Sequence, residues 1–463
     1  MIARLLAGTA LALPLAIASP ALAQTAQTDR SSEDVRQLRS ELEILRAQIA
    51  ALESRLETQQ GTVTLAETKS TEALETAEAA QKATGDTKIA WKGAPEFASD
   101  SGWTFKPRGR LQYDFGRISA PDGIIDNGLG FSNELRRVRL GAEGKIPGGF
   151  GYRFELEFAD GSAQLWDGYI TYNTGALTVT AGQHNNFQSL DELTSSNDTV
   201  LVERAAFTDA FGFERRLGLS AQYGKGPVLL QGGVFTDNVA DLSDDGNNSV
   251  GVDGRAVFAP KLGDAQLHFA GSAHWRDLGD TLTTGRYRQR PLIHSTDIRF
   301  IDTGTLAGVD SETSYGLEAL AIAGRFHAAG EAHWLDVSRS AATDAGFFGG
   351  YAELGYFLTD DSLGYRGGVL RAPKISKPVG DSGIGAVALS LRYDYLDLVD
   401  ASAGVIGGKQ NGYIAGISWW PVENLRFLLN YAHLEFNDAA LAAAGGDRDY
   451  SADVVGGRVQ VSF

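Results

Sequence analysis

The feature that most constrains this chain is a period-two alternation of apolar and polar residues, which begins at Trp103 and recurs to the last residue. In the first such segment one series is apolar or aromatic and comprises Trp103, Phe105, Pro107, Gly109, Leu111, Tyr113 and Phe115. The intervening series is polar and largely basic, and comprises Thr104, Lys106, Arg108, Arg110, Gln112 and Asp114. Successive side chains of a β-strand point to opposite faces, so this pattern predicts two-faced strands.

Two-faced strands occur both in soluble sheets, where the apolar face covers a core, and in membrane-spanning barrels. In a barrel the apolar face meets lipid and the polar face lines a wet lumen, which suits long charged side chains at successive positions. Aromatic residues also cluster near the predicted strand ends, as in the interfacial girdles of barrels. The last strand, within residues 454–463, closes on Phe463, which resembles the assembly signal of outer-membrane barrel proteins. These features favour the barrel.

The number of strands sets the width of the predicted barrel. The alternation gives about seventeen candidates between Trp103 and Phe463. Single-chain bacterial barrels have an even number of strands, so we predict sixteen. A barrel of about sixteen strands encloses an aqueous channel, whereas about eight strands are filled by side chains. The predicted fold class is all-β, a transmembrane antiparallel β-barrel over residues 103–463, preceded by an N-terminal α-helical coiled coil.

Residues 1–23 have the organisation of a secretory signal peptide. Arg4 is their only charged residue, an apolar stretch follows, and the segment ends on Ala21, Leu22 and Ala23. The chain has no Cys, which excludes disulfides, thiol chemistry and lipidation at a Cys after the cleavage site. Its 58 acidic residues outnumber 41 basic ones, so nucleic acid is not an expected partner. We expect export to the outer membrane of a Gram-negative bacterium, with the lipid of that membrane as a partner.

A heptad pattern follows the leader. Its apolar residues are spaced alternately by three and four positions and are Val35, Leu38, Leu42, Leu45, Ile49, Leu52 and Leu56. A strict 3.5-residue period is typical of a coiled coil, because a helix lying on a globular core has a broader apolar stripe. We therefore predict an oligomerising coiled coil over residues 30–84, with the number of strands left open, and a linker over residues 85–102.

Several segments resemble the phosphate-selective porin O/P family. They are LRRVRLG at 135–141, GQHNNF at 182–187 with the residues up to 196, RYRQRP at 286–291, RFIDTG at 299–304, YFLT at 356–359, RYDYLDL at 392–398 and NLRF at 424–427. Their order and spacing together carry the resemblance. It implies a homotrimeric, 16-stranded channel for small anions, phosphate or related oxyanions, with a three-stranded coiled coil in the periplasm and an inward constriction loop near residues 184–210.

Arginines at alternate positions are the candidate solute-selecting residues. Arg286, Arg288 and Arg290 would share one face of a strand at intervals of about 7 Å. Guanidinium groups pair bidentately with phosphate oxygens, so such a lumen ladder would attract anions. Other basic residues expected on the ion pathway are Arg136, Arg137, Arg139, Arg108, Arg110 and Lys106. The alternative is that these arginines only solvate the lumen wall and pair with acids such as Glu143, Glu155 and Glu157.

The predicted constriction loop departs from the family in one respect. The family usually has a lysine where this chain has His184, Asn185 and Asn186. The loop supplies the acids Asp191 and Glu192 instead. This difference leaves a general polar-solute porin, without phosphate selectivity, as the alternative function.

The sequence also bears on two other classes of function. An outer-membrane enzyme requires a nucleophile with a nearby base, and none of the seven His residues lies in such a motif, so we predict no enzyme, no catalytic residue, no cofactor and no metal site. A structural tether, in which the coiled coil grips the cell wall, leaves the basic lumen positions unexplained. A conductance measurement separates a tether from a channel, because a plugged barrel passes no ions.

Overall fold

The computed structural model describes residues 30–83, 87–91, 93–242, 246–280 and 284–463, so the predicted signal peptide lies outside the described residues. The chain forms two compact units, Met1–Gly85 and Asp86–Phe463.

In the first unit, the residues Arg30–Ala83 form one helix of 54 residues. The heptad residues Leu42, Leu45, Ile49, Leu52 and Leu56 are between 51% and 63% exposed in the single chain. The predicted helix is thus confirmed, whereas its association with other copies stays a prediction. No helix among the described residues is both long and apolar enough to cross a membrane.

The second unit is built on sixteen long antiparallel strands within its described residues, which confirms the prediction of a sixteen-stranded barrel. The first eight are β1 Thr104–Ser119, β2 Gly130–Ile146, β3 Phe150–Glu157, β4 Gln164–Thr174, β5 Leu177–Asn185, β6 Arg215–Lys225, β7 Val228–Phe235 and β8 Val250–Phe258. The others are β9 Ala265–Asp277, β10 Val309–Ala323, β11 Phe326–Arg339, β12 Ala345–Phe357, β13 Ala386–Asp400, β14 Val405–Val422, β15 Leu425–Asn437 and β16 Tyr450–Ser462.

Pairing between the last and first strands closes the barrel. β16 runs antiparallel to β1 in a register from Asp453 opposite Ser119 to Ser462 opposite Arg110. Phe463 continues this register, since its backbone N–H and C=O both bond to Gly109 at 3.0 Å. A Cβ on Gly109 would lie 2.2 Å from the Phe463 ring, so a larger residue there would require the ring to move. The closed register leaves no free sheet edge along the wall.

The wall is apolar outside and polar inside. On β1, Leu111 and Tyr113 are exposed on the outer face, whereas Arg110, Gln112 and Asp114 are buried on the inner face. Aromatic pairs lie near both ends of the strands, such as Phe326 with Tyr356, Trp419 with Phe427, and Trp334 with Phe348, at ring-centroid distances of 4.5, 5.3 and 5.3 Å. An apolar outer face and a polar inner face are the reverse of the pattern in a soluble protein, and they are typical of a membrane barrel with a water-filled lumen.

Residues 85–102, predicted as a linker, contain a hairpin instead. Lys88–Trp91 pairs with Pro95–Ala98, and Phe97 in turn lies opposite Phe105 of β1. The segment Lys88–Trp91 contains the strand-favouring residues Ile89 and Trp91, which explains why it is ordered as a strand.

Connections alternate between two ends of the barrel. At the turn end most connections are short, while the longer connections meet at the opposite, loop end. Three segments fold into the lumen and are named here the constriction loop (residues 186–214), the mouth loop (284–308) and the strap (358–385). The short helices Leu190–Leu193 and Ala206–Ala210 lie in the constriction loop. Two-residue strands lie in the mouth loop at Thr284–Gly285, Arg288–Gln289, Ile301–Asp302 and Leu306–Ala307. The strap carries the small hairpin Gly364–Arg366 and Val369–Arg371, and Lys261–Leu262 extends the β8–β9 turn.

Candidate functional site

Basic residues form steps along the inner face of β1 and β2. Lys106, Arg108 and Arg110 occupy alternate inner positions of β1, ordered from the turn end towards the loop end. On β2, Arg139 lies opposite Arg110, and Arg137 lies opposite Gln112. Alternate residues of a strand are about 7 Å apart, so a cationic group recurs at that interval along the wall.

Two β-bulges add inward side chains to this wall. The register of β1 and β2 shifts after Gln112, which leaves Arg136 as the extra residue. The register of β3 and β4 shifts between Glu155 and Leu156, which leaves Trp166 as the extra residue. A bulge redirects a side chain without reversing the rest of the strand. Consecutive Arg136 and Arg137 can therefore both reach the lumen.

Many of the wall arginines are neutralised by neighbouring carboxylates. Arg139 lies 2.6 Å from Glu157, and Arg108 lies 3.0 Å from Glu143. Asp167 receives both Arg153 at 3.0 Å and Arg215 at 2.6 Å. Wall acids therefore reduce the positive charge, as the alternative interpretation of the sequence expects.

Three buried arginines have only uncharged partners among the described residues. Arg110 donates to the hydroxyl of Ser196 at 2.8 Å, and Arg137 donates to the side-chain oxygen of Gln112 at 2.8 Å. Arg426 donates to the carbonyl of Ser196 at 2.7 Å. None of the three has a carboxylate oxygen of a described residue within 4.0 Å. A buried charge without a counter-ion in contact is costly, so these three guanidinium groups are candidate partners for an anion.

The constriction loop is held from both sides of the lumen. On one side Glu331 of β11 accepts the backbone N–H groups of Leu190 at 2.9 Å and Asp191 at 2.7 Å, where a helical turn begins. On the other side Arg458 of β16 donates to Glu203 at 2.7 Å, while it also grips Asp114 of β1. The loop is thereby fixed across the barrel.

The acids of the constriction loop differ in charge behaviour. Burial favours a raised pKa for Glu203, but the adjacent Arg136 and Arg458 outweigh burial and hold its pKa well below the ordinary value. Burial raises the pKa of Glu192, and Arg204 at 3.4 Å offsets this only in part. Glu203 thus remains an anion on acidification, whereas Glu192 is neutralised at a higher pH than an ordinary glutamate.

The strap fills the part of the lumen opposite the basic steps on β1 and β2. Its Tyr365 hydroxyl lies 2.6 Å from His268 of β9, and its Gly368 carbonyl accepts from Arg255 of β8 at 2.9 Å. It also reaches the constriction loop, since Ala372 donates its N–H to Asp198 at 3.0 Å. The strap therefore contacts inner positions of the wall far from the basic steps on β1 and β2.

Three cavities lie along the basic side. At the loop end an outer vestibule of about 660 Å³ is bordered by Arg288 and Arg299. It shares Asp209 and Arg290 with a chamber of about 270 Å³ between the constriction loop, the mouth loop and the wall. At the turn end a vestibule of about 780 Å³ is lined by Lys106, among others. Between the chamber and this last vestibule lie the steps Arg108, Arg110 and Arg139.

The expectation that one barrel strand carries Arg286, Arg288 and Arg290 is wrong. They lie in the mouth loop, where Arg288–Gln289 is the one strand within residues 286–290, and Pro291 ends the alternation. The three arginines still share one face of the segment, because the intervening Tyr287 and Gln289 are buried on the other face. Arg286 pairs with Asp302 at 2.9 Å and Arg290 pairs with Asp297 at 2.8 Å, whereas Arg288 is exposed. Their role in the ion pathway stays a prediction.

The predicted constriction-loop residues have separate positions. Asn185 ends β5, and Asn186 is buried beside it. Asp191 is an anchor, which accepts the Ala205 N–H at 2.8 Å and pairs with Arg392 at 3.1 Å. Among these predicted residues, Glu192 is the one that lines the chamber.

Sequence reasoning missed several residues of the site. They are Trp166, Arg204, Arg215, Arg426 and Arg458. Strand parity could have found Arg426 and Arg458, which occupy inner positions of β15 and β16. No pattern in a single sequence reveals the bulge at Trp166, because a bulge depends on the partner strand.

Comparison with known proteins agrees with this architecture. A family model described as phosphate-selective porin O and P matches residues 105–463. An uncharacterised protein of Caulobacter vibrioides is 48% identical over 466 residues, which cover 96% of this chain and 93% of that protein. The trimer form of in-vitro folded OmpT, an outer membrane protein of Vibrio cholerae, has 10% identity and a TM-score of 0.51, over 78% of this chain and 99% of that one. The outer membrane channel DcaP of Acinetobacter baumannii has 12% identity and a TM-score of 0.49, over 79% and 99%. At 10% identity the likeness to OmpT shows the fold alone.

Proposed function

Because this chain belongs to the phosphate-selective porin O and P family, we propose that it is an outer-membrane porin whose passive channel prefers small anions, with phosphate and related oxyanions as its solutes. The observation that carries this proposal is the group of buried arginines with uncharged partners, Arg110, Arg137 and Arg426. Fixed cations in a confined, partly desolvated passage attract anions and repel cations.

The proposed path follows the basic side from end to end. Anions meet Arg286, Arg288 and Arg290 at the mouth, then pass Arg136 and Arg137 in the chamber. They leave by the basic steps, which are Arg139, Arg110, Arg108 and Lys106. Sites of moderate strength at short intervals let an ion move from one to the next, as conduction requires. The wall acids that pair with several arginines keep any one site from binding too tightly.

A general polar-solute porin is the second candidate. Two observations favour it: wall acids such as Glu155 and Asp167 lie among the arginines, and the constriction loop has no lysine at residues 184–186. Such a pore would pass sugars and cations at rates comparable to those of chloride.

We further propose a homotrimer with a cleaved signal peptide. The exposed heptad seam of the helix Arg30–Ala83 fits a parallel coiled coil of three copies. In outer-membrane barrels the short turns face the periplasm. The helix precedes β1 in the sequence, and β1 begins at the turn end of the barrel. We therefore propose that the coiled coil is periplasmic.

Reversal potentials in a salt gradient across a planar bilayer test the anion preference. We expect chloride to permeate better than potassium, and Arg137→Gln to lower the chloride-over-potassium ratio by about tenfold, since a charge-assisted contact contributes about 1.5–3 kcal/mol. Replacement of Arg286, Arg288 and Arg290 with Ala is expected to have a smaller effect, because these residues are more exposed. Arg117→Gln, on the outer face of β1, is the matched control. Equal permeability of both ions in the unmodified protein would exclude anion preference and leave the general porin.

A further inference from the structure

The chamber between the two inward loops combines arginines and apolar surface with the acids Glu192, Glu203, Asp209 and Glu214. Its arginines are Arg136, Arg137, Arg204, Arg215 and Arg290. Its apolar lining consists of Trp166, Ala206, Phe213, Leu292 and Ile293. An inorganic anion would contact only the arginines. The presence of the apolar lining therefore requires another explanation.

Arg137 is the arginine of the chamber that is free to hold an anionic head group. Arg136, Arg204, Arg215 and Arg290 lie within 4.0 Å of Glu203, Glu192, Asp167 and Asp297, respectively. Arg137 has no such carboxylate among the described residues, and it is only 4% exposed. A carboxylate placed against it would gain a charge-assisted hydrogen bond in a confined site.

The apolar lining is held rigidly. The guanidinium carbons of Arg139 and Arg215 lie 3.5 and 4.4 Å from the ring centroid of Trp166, so cation–π contacts fix the indole. Phe213 packs against Phe207 and His333 at centroid distances of 5.9 and 5.4 Å. Leu292 is held in the left-handed region at φ 54°, which is unfavourable for leucine and places its side chain at the chamber.

The size of the chamber fits a small organic molecule. Its volume of about 270 Å³ is many times the roughly 10–15 Å³ that a single water molecule needs. A phosphate ion has five heavy atoms and would leave the apolar lining against water. From this combination we infer that the chamber binds small organic carboxylates, with the carboxylate at Arg137 and an aliphatic body against the apolar lining.

This inference rests on the proposed anion channel and names a solute class for it. The test is block of the chloride current by acetate, butyrate and hexanoate at pH 8 in planar bilayers, with inorganic phosphate as the competing probe. Affinity is expected to rise by about twofold to fourfold per methylene, the upper value being that of a fully buried CH₂. Hexanoate is then expected to block more strongly than phosphate.

Two variants locate the site. Asparagine tolerates the left-handed backbone at this position, so Leu292→Asn is expected to fold. In this variant the block by butyrate and hexanoate, measured relative to acetate, is expected to rise less with chain length. Leu441→Asn, at a partly buried leucine of the connection between β15 and β16, is the matched control and is expected to keep the series.

Three outcomes would overturn the inference. They are equal block by all three carboxylates, stronger block by phosphate than by hexanoate, and an unchanged series in Leu292→Asn. The chloride-over-potassium ratio, measured in the same bilayers, separates the two proposals. A flat series in an anion-selective channel rejects the carboxylate site alone, whereas a channel without anion preference rejects the proposed function.

Discussion

At the scale of single residues, the chemistry of the lumen depends on positions where the strand rule is locally broken. Arg136 and Trp166 each occupy a bulge, and each therefore joins the inner face in addition to the regular inward residues. Both line the chamber. Two extra residues in the sheet thus supply one cation and one aromatic ring to the same cavity.

Acidification is expected to increase the anion preference. Burial raises the pKa of both Glu192 and Glu214, so these chamber acids lose their negative charge at a pH above the ordinary glutamate range. Arg136 and Arg458 hold the pKa of Glu203 low, so that residue stays charged. The chloride-over-potassium ratio should rise as the pH falls through this range, as measured by reversal potentials.

Substitutions identify the groups responsible. Glu192→Gln combined with Glu214→Gln should remove the glutamate part of the rise. His294 also lines the chamber, so His294→Gln is measured alongside. A full rise in the double glutamine variant would assign the effect to other groups.

At the scale of elements, the strap is unusual because it is a long connection at the end where barrels have short turns. Connections longer than about 15 residues without extended secondary structure are usually functional. The strap is bound to the wall through Arg255, which also pairs with Glu318 at 2.6 Å, and to the constriction loop through Asp198. It therefore narrows the lumen and supports the loop.

Removal of the strap is expected to widen the passage. Leu358 donates its N–H to the carbonyl of Val387 at 2.8 Å, so the strap's two ends are adjacent. Replacement of residues 359–386 by Asn-Gly, a common two-residue hairpin turn, should leave the barrel intact. Single-channel conductance should rise, and anion preference should fall because the support of the constriction loop at Asp198 is lost. An unchanged conductance in a correctly folded variant would show that the strap does not limit flow.

At the scale of the whole molecule, the sequence predicts what depends on periodicity. Strand alternation gave about seventeen candidates, and together with the even strand number of single-chain barrels it predicted sixteen strands. The heptads predicted the helix. Prediction from the sequence failed where the position of a residue depends on contacts with residues distant in the chain. The arginines at 286–290 have strand spacing, yet Tyr287 packs on Phe347 of β12 and draws the segment into the lumen. The bulges, the strap and the partners of Arg137 likewise depend on strand pairing, which a single sequence does not encode visibly.

The proposed trimer makes a prediction that separates the heptad seam from the rest of the helix. Leu45 and Leu52 lie on the seam, whereas Leu65 and Leu74 lie off it, and all four are between 56% and 63% exposed in the single chain. Glutamate keeps the helix propensity, but three charged side chains in a packed seam repel one another. Leu45→Glu with Leu52→Glu should lower the temperature at which the detergent-solubilised trimer dissociates, followed by light scattering. Leu65→Glu with Leu74→Glu makes the same chemical change and should leave that temperature unaltered, so equal behaviour of the two double variants would remove the coiled coil from the assembly.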